Sequence, residues 1–343
     1  MKQNKKLLAL LLVLVIAFTS LALVACADKK GDGDQAKKVV RISTTTSVND
    51  SGLMAYLQPY FKADTGYDWE IASAGTGAAI AAAEYGNADV ILVHAKDSED
   101  AFVKKGFARI VDGYKSERVS FMYNYFVLVG PTNDPANVKN ANNVMDAFAN
   151  IASNKKTFIS RGDASGTHDK EVKLWPAELG IPKVNVKKNP EDISLIPEAV
   201  RSWYTSAGQG MGACLTMANE QSAYVLTDKA TYLSFKNNPD GDQLPNLSLL
   251  YEANLVEPGT VNPDKPIQDL KNTYSILAVN PAAPFVDSIT GKALPAGQVK
   301  IDTTAADVFV KWMTSEHAKA LISFYGETKY GGSLFSLMGG YLK

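Results

Sequence analysis

Lys38-Val-Val-Arg-Ile-Ser-Thr44-Thr45-Thr46-Ser47-Val-Asn-Asp-Ser51-Gly52 begins with the alternation of a β-strand and breaks into a hydroxyl-rich turn. Directly after it, Leu53, Tyr56, Leu57, Tyr60 and Phe61 recur at the spacing of one helical face. Asp64-Thr-Gly66 closes that helix, Trp69-Glu-Ile-Ala-Ser73 reads as a second strand, and Ala74-Gly75-Thr76-Gly77 as a second tight turn. A helix over residues 78–85 and a third, buried strand over 88–94, with the apolar run Val90-Ile-Leu-Val93 at its centre, complete a βαβαβ run. That order is the mark of an α/β fold built on a twisted, mostly parallel sheet flanked by helices.

Farther along, Phe158-Ile-Ser-Arg161-Gly162-Asp163-Ala-Ser165-Gly166-Thr167-His168-Asp-Lys-Glu171 repeats the layout of strand, small polar turn and helix start. Between the two lie a long strand over 119–129, ended by Gly130-Pro131, and a helix over 141–153. After the second stretch the pattern predicts helices over 198–204 and 213–221, with strands over 223–227, 247–251 and 274–279. Helices over 304–314 and 316–325 close the chain.

Thr44–Ser47, Ser73–Gly77 and Arg161–Thr167 therefore share a position, the carboxyl end of a strand, where open α/β sheets hold their ligands. Small residues let backbone N–H groups approach a ligand, and Ser/Thr hydroxyls donate without adding charge. A tetrahedral dianion needs several such donors when buried. Arg161 adds a fork of charge-assisted donors that stays cationic at any relevant pH. The candidate anion ligands are Thr45, Thr46, Ser47, Ser73, Thr76, Gly77, Arg161, Ser165, Gly166 and Thr167. Which threonine of 44–46 contributes, and whether Ser73 or Thr76 does, the residues leave open. Each turn also reads as an ordinary helix cap, so it is the recurrence of three that points to an anion.

The N-terminus is of another kind. Met1-Lys-Gln-Asn-Lys5-Lys6 is basic, residues 7–24 are almost wholly apolar, and Leu23-Val-Ala-Cys26 follows. This is the pattern of a secretory leader over 1–25. The cysteine resembles that of a bacterial lipobox, which would leave Cys26 as a lipid-modified N-terminus. The apolar run is also long enough for an uncleaved membrane helix. Residues 26–38 read as a flexible tether. Loss of Lys2, Lys5 and Lys6 with the leader takes the formal net charge from −1 to −4. With no basic block, nucleic acid is excluded as a partner, and any bound anion must be held by a local site. Cys214 is the one cysteine left besides Cys26, too few for a disulfide within the mature domain.

An enzyme is the competing class. Gly162-Asp-Ala-Ser165-Gly166 lacks the G-x-S-x-G spacing of a nucleophile elbow, which leaves a Ser165/His168 hydrolase without an identified orienting acid. His168 and Glu171 could form half a metal site, but only His94 and His317 remain as further histidines. Neither a catalytic residue nor a cofactor is expected, and no metal other than as part of an oxyanion.

Several blocks together identify a family. They are Thr44-Thr-Thr-Ser47 with Ser51-Gly-Leu53, Gly75-Thr-Gly77, Asn87-Ala-Asp-Val90 and Arg161-Gly-Asp-x-Ser-Gly-Thr-His168. Gly208-Gln-Gly-Met-Gly212, Tyr224-x-Leu-Thr-Asp228 and Lys329-Tyr-Gly331 continue the series. In this order the chain resembles the substrate-binding proteins of bacterial tungstate ABC importers from Val39 to about Phe335. The resemblance implies a two-lobed type II periplasmic-binding-protein fold, with residues 39–124 and 275–343 as lobe I and 125–274 as lobe II. Segments 119–129 and 274–279 would be the two crossovers. It implies a monomeric extracytoplasmic lipoprotein that captures tungstate, or molybdate with it, and delivers it to a membrane permease. It further implies that Arg161, Thr167, a threonine of 44–46 and the 73–77 turn contact the anion. Ala78 stands where the family pattern has a lysine, which removes one nearby positive charge. The rival ligands are phosphate and sulfate. Asp163 discriminates: aimed at the ligand it would accept a phosphate proton, whereas paired with Arg161 or capping the helix it favours a fully ionised anion.

Overall fold

The alternation at the start of the chain forms β1 (Val39–Thr45), paired in parallel with β2 (Asp68–Ala74) on one side and β3 (Val90–Val93) on the other. The architecture comes from a computed structural model that describes residues 38–186, 190–252, 255–257, 260–261 and 270–338. The leader, Cys26 and the tether up to residue 37 lie outside the described residues. Among the described residues no helix is long and apolar enough to cross a membrane.

The turn after β1 passes straight into α1 (Thr46–Asp50) and then α2 (Leu53–Thr65), which buries Leu53, Leu57 and Phe61 as its spacing requires. Next come α3 (Thr76–Glu84), α4 (Lys96–Lys104) and a short β4 (Ala108–Arg109). The long β5 (Arg118–Pro131) leads to α5 (Val144–Ser153), β6 (Phe158–Ser160) and α6 (Gly166–Val172). Then follow β7 (Tyr204–Ser206), α7 (Met211–Gln221), β8 (Val225–Asp228), α8 (Lys229–Lys236) and β9 (Leu247–Tyr251). A small antiparallel pair, β10 (Leu255–Glu257) and β11 (Thr260–Val261), precedes β12 (Lys271–Val279). The chain ends with α9 (Thr303–Met313), α10 (Glu316–Phe324), α11 (Glu327–Tyr330) and β13 (Ser336–Leu337).

The parallel trio β2-β1-β3 continues into antiparallel β12 and β5. Strand β5 then changes partners along its length: up to Tyr125 it pairs with β12, from Phe126 with β8, and from Leu128 also with β9. Its apolar residues divide in the same way. Val119, Phe121 and Met122 enter a core with Phe61, Trp69, Phe309 and Trp312. Phe126 and Leu128 enter another with Phe148, Phe158 and Trp175. The rings of Phe148 and Phe158 lie 4.6 and 4.8 Å from Trp175, packing that fixes β6 and so the residue after it. Truncating Phe158 to Ala would cost about 3–5 kcal/mol.

The helix predicted over 198–204 is not formed. A single 3-10 turn at Glu198–Val200, started by Pro197, gives way to β7, which lies parallel to β6 with Ser160 beside Ser206. Tyr204-Thr-Ser is a β-favouring triplet, and pairing with β6 overrides the apolar spacing that suggested a helix.

Candidate anion-binding site

Arg161 follows the last residue of β6 and is 1% exposed. Its Nη2 donates to the Thr46 hydroxyl at 3.0 Å and to Asp163 Oδ2 at 2.5 Å. Its Nε and Nη1 have no hydrogen-bond partner among the described residues. A buried guanidinium with two of its three nitrogens unpaired is costly unless an acceptor meets it. Two more buried hydroxyls have no partner among the described residues, Thr167 Oγ1 in the first turn of α6 and Ser206 Oγ at the end of β7.

The turn that presents Arg161 is held by its sequence. Gly162 has φ +56°, and a Cβ there would fall 2.1 Å from Ser206 Oγ. Asp163 is engaged within the turn: Oδ2 accepts from Arg161, and Oδ1 accepts the Ser165 N–H at 3.1 Å. Ser165 is the N-cap of α6, its hydroxyl accepting the His168 N–H at 3.2 Å. Gly166 donates its N–H to Thr76 Oγ1 at 3.1 Å, and a Cβ on it would sit 2.8 Å from the His94 carbonyl.

The end of β1 forms the facing wall. Thr44 is tied to the Leu92 carbonyl at 2.7 Å and so is committed to the sheet. Thr45 Oγ1 and Ser47 Oγ lie 3.2 Å apart, and Ser47 Oγ is 2.9 Å from His94 Nε2. Burial, with the Arg161 charge second, pushes the His94 imidazole down to about 3, so it is neutral near pH 7. With its proton on Nε2, Ser47 accepts from the ring and can pass its own hydrogen to Thr45. The Thr45 hydrogen is then left for an anion. Thr46 accepts from Arg161 and keeps its hydrogen as well.

Thus Thr45, Thr46, Ser47, Thr76, Arg161, Ser165, Gly166 and Thr167 are joined in one buried cluster, directly or through a neighbouring residue. Two predicted residues stand apart: Ser73 is exposed on β2, and Gly77 is exposed in α3. Of the two candidates in that turn, Thr76 is the one linked to α6. Sequence reasoning missed Ser206, His94 behind Ser47, and the packing of Gly210 against Thr46, where a Cβ would lie 3.4 Å from Cγ2. Ser206 could have been found by noticing that Tyr204-Thr-Ser before Gly208-Gln-Gly repeats the strand-end layout of the other turns.

The groups considered for hydrolysis do not assemble. His168 Nδ1 accepts from the Ala164 N–H at 3.1 Å, and the Ser165 hydroxyl serves the His168 main chain rather than its ring. Glu171 turns the other way, accepting from Trp175 Nε1 at 2.6 Å and from the Tyr204 hydroxyl at 3.0 Å, with Ser160 on its second oxygen. Burial lowers His168 to about 4 and raises Glu171 to about 7. Among the described residues no group of His, Cys, Asp and Glu could hold a metal ion.

Comparison with known proteins follows the same line. A family model described as a PBP superfamily domain matches residues 32–317. The tungstate-binding protein TupA of Peptoclostridium acidaminophilum is 38% identical over 339 residues, 97% of this chain and 98% of that protein. The crystal structure described as the tungstate ABC transporter from Geobacter sulfurreducens is 36% identical, with TM-score 0.61, covering 85% of this chain and all of that one. The tungstate-binding protein TupA from Desulfovibrio alaskensis has TM-score 0.60 at 32% identity, covering 88% of this chain and 99% of that one.

Proposed function

This chain belongs to the periplasmic-binding-protein superfamily and, within it, to the family of the tungstate-binding proteins, and from that membership we propose that it is the extracytoplasmic receptor of an ABC importer, binding tungstate between two lobes. The observation that carries the ligand class is Arg161. It is a fully buried cation whose Nε and Nη1 lack partners among the described residues, in the same turn region as the Thr167 and Ser206 hydroxyls, which lack them too. A tetrahedral dianion supplies the acceptors these groups need and neutralises the charge. The role is binding rather than catalysis.

The contacts we assign are Arg161, Thr167 and Ser206 from the β6–β7 side, and Thr45 and Thr46 from the end of β1. Ser47 acts through Thr45, and Thr76 holds Gly166 in place. Asp163 supports a fully ionised anion over phosphate. Its carboxylate is engaged by Arg161 and the Ser165 N–H, and a second acceptor near the ligand would repel an oxyanion that carries no proton to share. Residues 39–124 with 275–343 form lobe I in this reading, and 125–274 form lobe II. The crossing of β5 from one sheet to the other supports that division. Residues 1–25 act as a leader and Cys26 as the lipid anchor of a monomer that hands its ligand to a membrane permease.

Isothermal titration with tungstate, molybdate, sulfate and phosphate tests the assignment. Tight tungstate binding, with molybdate as the nearest competitor, is the expected result. Tight phosphate binding without tungstate binding would replace the assignment.

A further inference from the structure

Glu171 is a buried titratable group that the assigned ligand contacts leave unused, and it ties together the three elements that carry the charged side of the site. It is 2% exposed. Its Oε1 accepts from Trp175 Nε1 at 2.6 Å and from the Tyr204 hydroxyl at 3.0 Å, and its Oε2 accepts from the Ser160 hydroxyl. Ser160 directly precedes Arg161, and Tyr204 lies two residues before Ser206 on β7. Glu171 itself follows Thr167 by about one helical turn on α6. Ser160 and Ser206 are paired in register across β6 and β7, and the Gln209 N–H donates to the Arg161 carbonyl at 3.1 Å. We propose that Glu171 is a positioning residue for Arg161, Thr167 and Ser206, and that it takes up a proton from solvent when the anion is captured. The proposal rests on the oxyanion-receptor reading above.

Solvation and charge carry the argument. A carboxylate enclosed in protein favours its neutral form unless a cation or several donors offset the lost hydration. Among the described residues no Lys, Arg or His side chain bonds to Glu171, and its three donors are neutral. The titratable groups facing it are Asp163 from the Arg161 turn, the Tyr204 phenol from β7, Cys214 from α7 and His168 on its own helix. Burial, partly offset by the three hydrogen bonds and reinforced by Asp163, brings the carboxyl up to about 7. Burial also keeps Tyr204 and Cys214 protonated and His168 neutral there, so of these groups Glu171 is the one that changes charge. Before capture, Arg161 and Asp163 offset each other as an ion pair. A bound dianion brings two negative charges, and an ionised Glu171 would add a fourth to the single positive charge of Arg161. Protonation removes that repulsion without breaking the brace. The acid can donate to Ser160 Oγ while its carbonyl oxygen still accepts from Trp175 and Tyr204. A site that takes up a proton with its ligand binds more weakly as pH rises through the titration of the free carboxyl.

The test is isothermal titration with sodium tungstate between about pH 6 and 8.5, in two buffers of different ionisation enthalpy, on wild type, Glu171→Gln and Tyr204→Phe. Wild type should lose affinity about three- to tenfold across this range and take up about 0.3–0.5 proton per tungstate near its middle. Glu171→Gln reproduces the hydrogen-bonding directions of the neutral acid, so its affinity should be nearly independent of pH and its proton uptake lost. Tyr204→Phe removes one donor to the ionised form and should move the fall to higher pH, which keeps the test open if the glutamine variant folds poorly. A flat wild-type profile, or proton uptake that persists undiminished in Glu171→Gln, would overturn the proposal. So would a loss of affinity in Glu171→Gln that is equal at every pH, the signature of a merely structural residue. Absence of tungstate binding in the wild type would instead remove the receptor reading on which the proposal stands.

Discussion

On the β1 side of the anion site every hydroxyl already has a protein partner, whereas on the β6–β7 side Arg161 Nε and Nη1, Thr167 Oγ1 and Ser206 Oγ have none among the described residues. The first wall is a chain of short polar groups braced by a neutral histidine. The second holds the charge and the unmet donors. In the proposed site, binding energy is therefore expected to concentrate on the second wall, with the first setting shape and hydrogen direction. This division makes the two walls unequal under mutation, although they present similar residues.

The sharpest way to break the comparison is Arg161→Ala. It removes the charge-assisted fork of this wall and also leaves Asp163 buried without its cation. An affinity loss of at least about a hundredfold, roughly 3 kcal/mol or more, is expected by titration calorimetry. Arg161→Lys should recover part of the loss, since it restores charge but not the planar fork. Equal affinity in wild type and Arg161→Ala would refute the assignment of the second wall.

Acid should expose the brace behind the first wall. The folded-state pKa of His94 lies near 3, below its ordinary 6.5, so the unfolded chain takes up a proton first as pH falls. Its contribution to stability is complete above 6.5 and is lost progressively from 6.5 toward 3, about 3 kcal/mol by pH 4.5. His168, near 4, acts in the same direction. Glu171 opposes them: its folded-state pKa near 7 exceeds the ordinary 4.5, so its contribution is present below 4.5 and lost as pH rises to 7. Asp228, pushed up to about 6 by burial, and Glu99 and Asp50, also raised by burial, act with Glu171, so the quantity that isolates His94 is a difference between two proteins. Between pH 6.5 and 4.5 the wild type should lose more melting temperature, or gain less, than His94→Gln. Scanning calorimetry at the two pH values measures it, and parallel slopes in the two proteins would remove His94 from this role.

Thr167→Val tests a single donor on the charged wall at nearly constant volume. Loss of one neutral hydrogen bond to the anion predicts an affinity about tenfold lower, near 1–1.5 kcal/mol, with the fold intact. Titration calorimetry gives the affinity and circular dichroism the fold. Unchanged affinity would mean that the buried hydroxyl serves something other than the ligand.

How much of this was legible depended on what each signal measures. The βαβαβ order, the α/β class and the strand end that delivers Arg161 could be read because alternation and helical spacing report burial directly. Thr44 could not be separated from Thr45 and Thr46, since which hydroxyl is spent on the Leu92 carbonyl is decided by the neighbouring strand. Ser206 was hidden for a related reason: Tyr204-Thr-Ser becomes a strand only because β6 lies beside it. His94 looked like one of three scattered histidines, and only the β1–β3 pairing brings it behind Ser47.

The smallest effect belongs to the residue that looked interchangeable with Thr76. Ser73 and Thr76 sit three positions apart in the same hydroxyl-rich turn, yet Thr76 is fully buried and holds Gly166, while Ser73 is exposed on β2 opposite Thr44. The difference follows from the strand ending between them: Ser73 still belongs to an outermost strand of the sheet, whereas Thr76 opens a helix that turns inward. Ser73→Ala should leave tungstate affinity within about twofold, the scale of an exposed substitution away from any special feature. Thr76→Val, which cannot accept the Gly166 N–H, should weaken binding by about three- to tenfold through a displaced α6. A titration in which Ser73→Ala costs more than Thr76→Val would reverse the assignment of that turn and move the first wall toward the sheet edge.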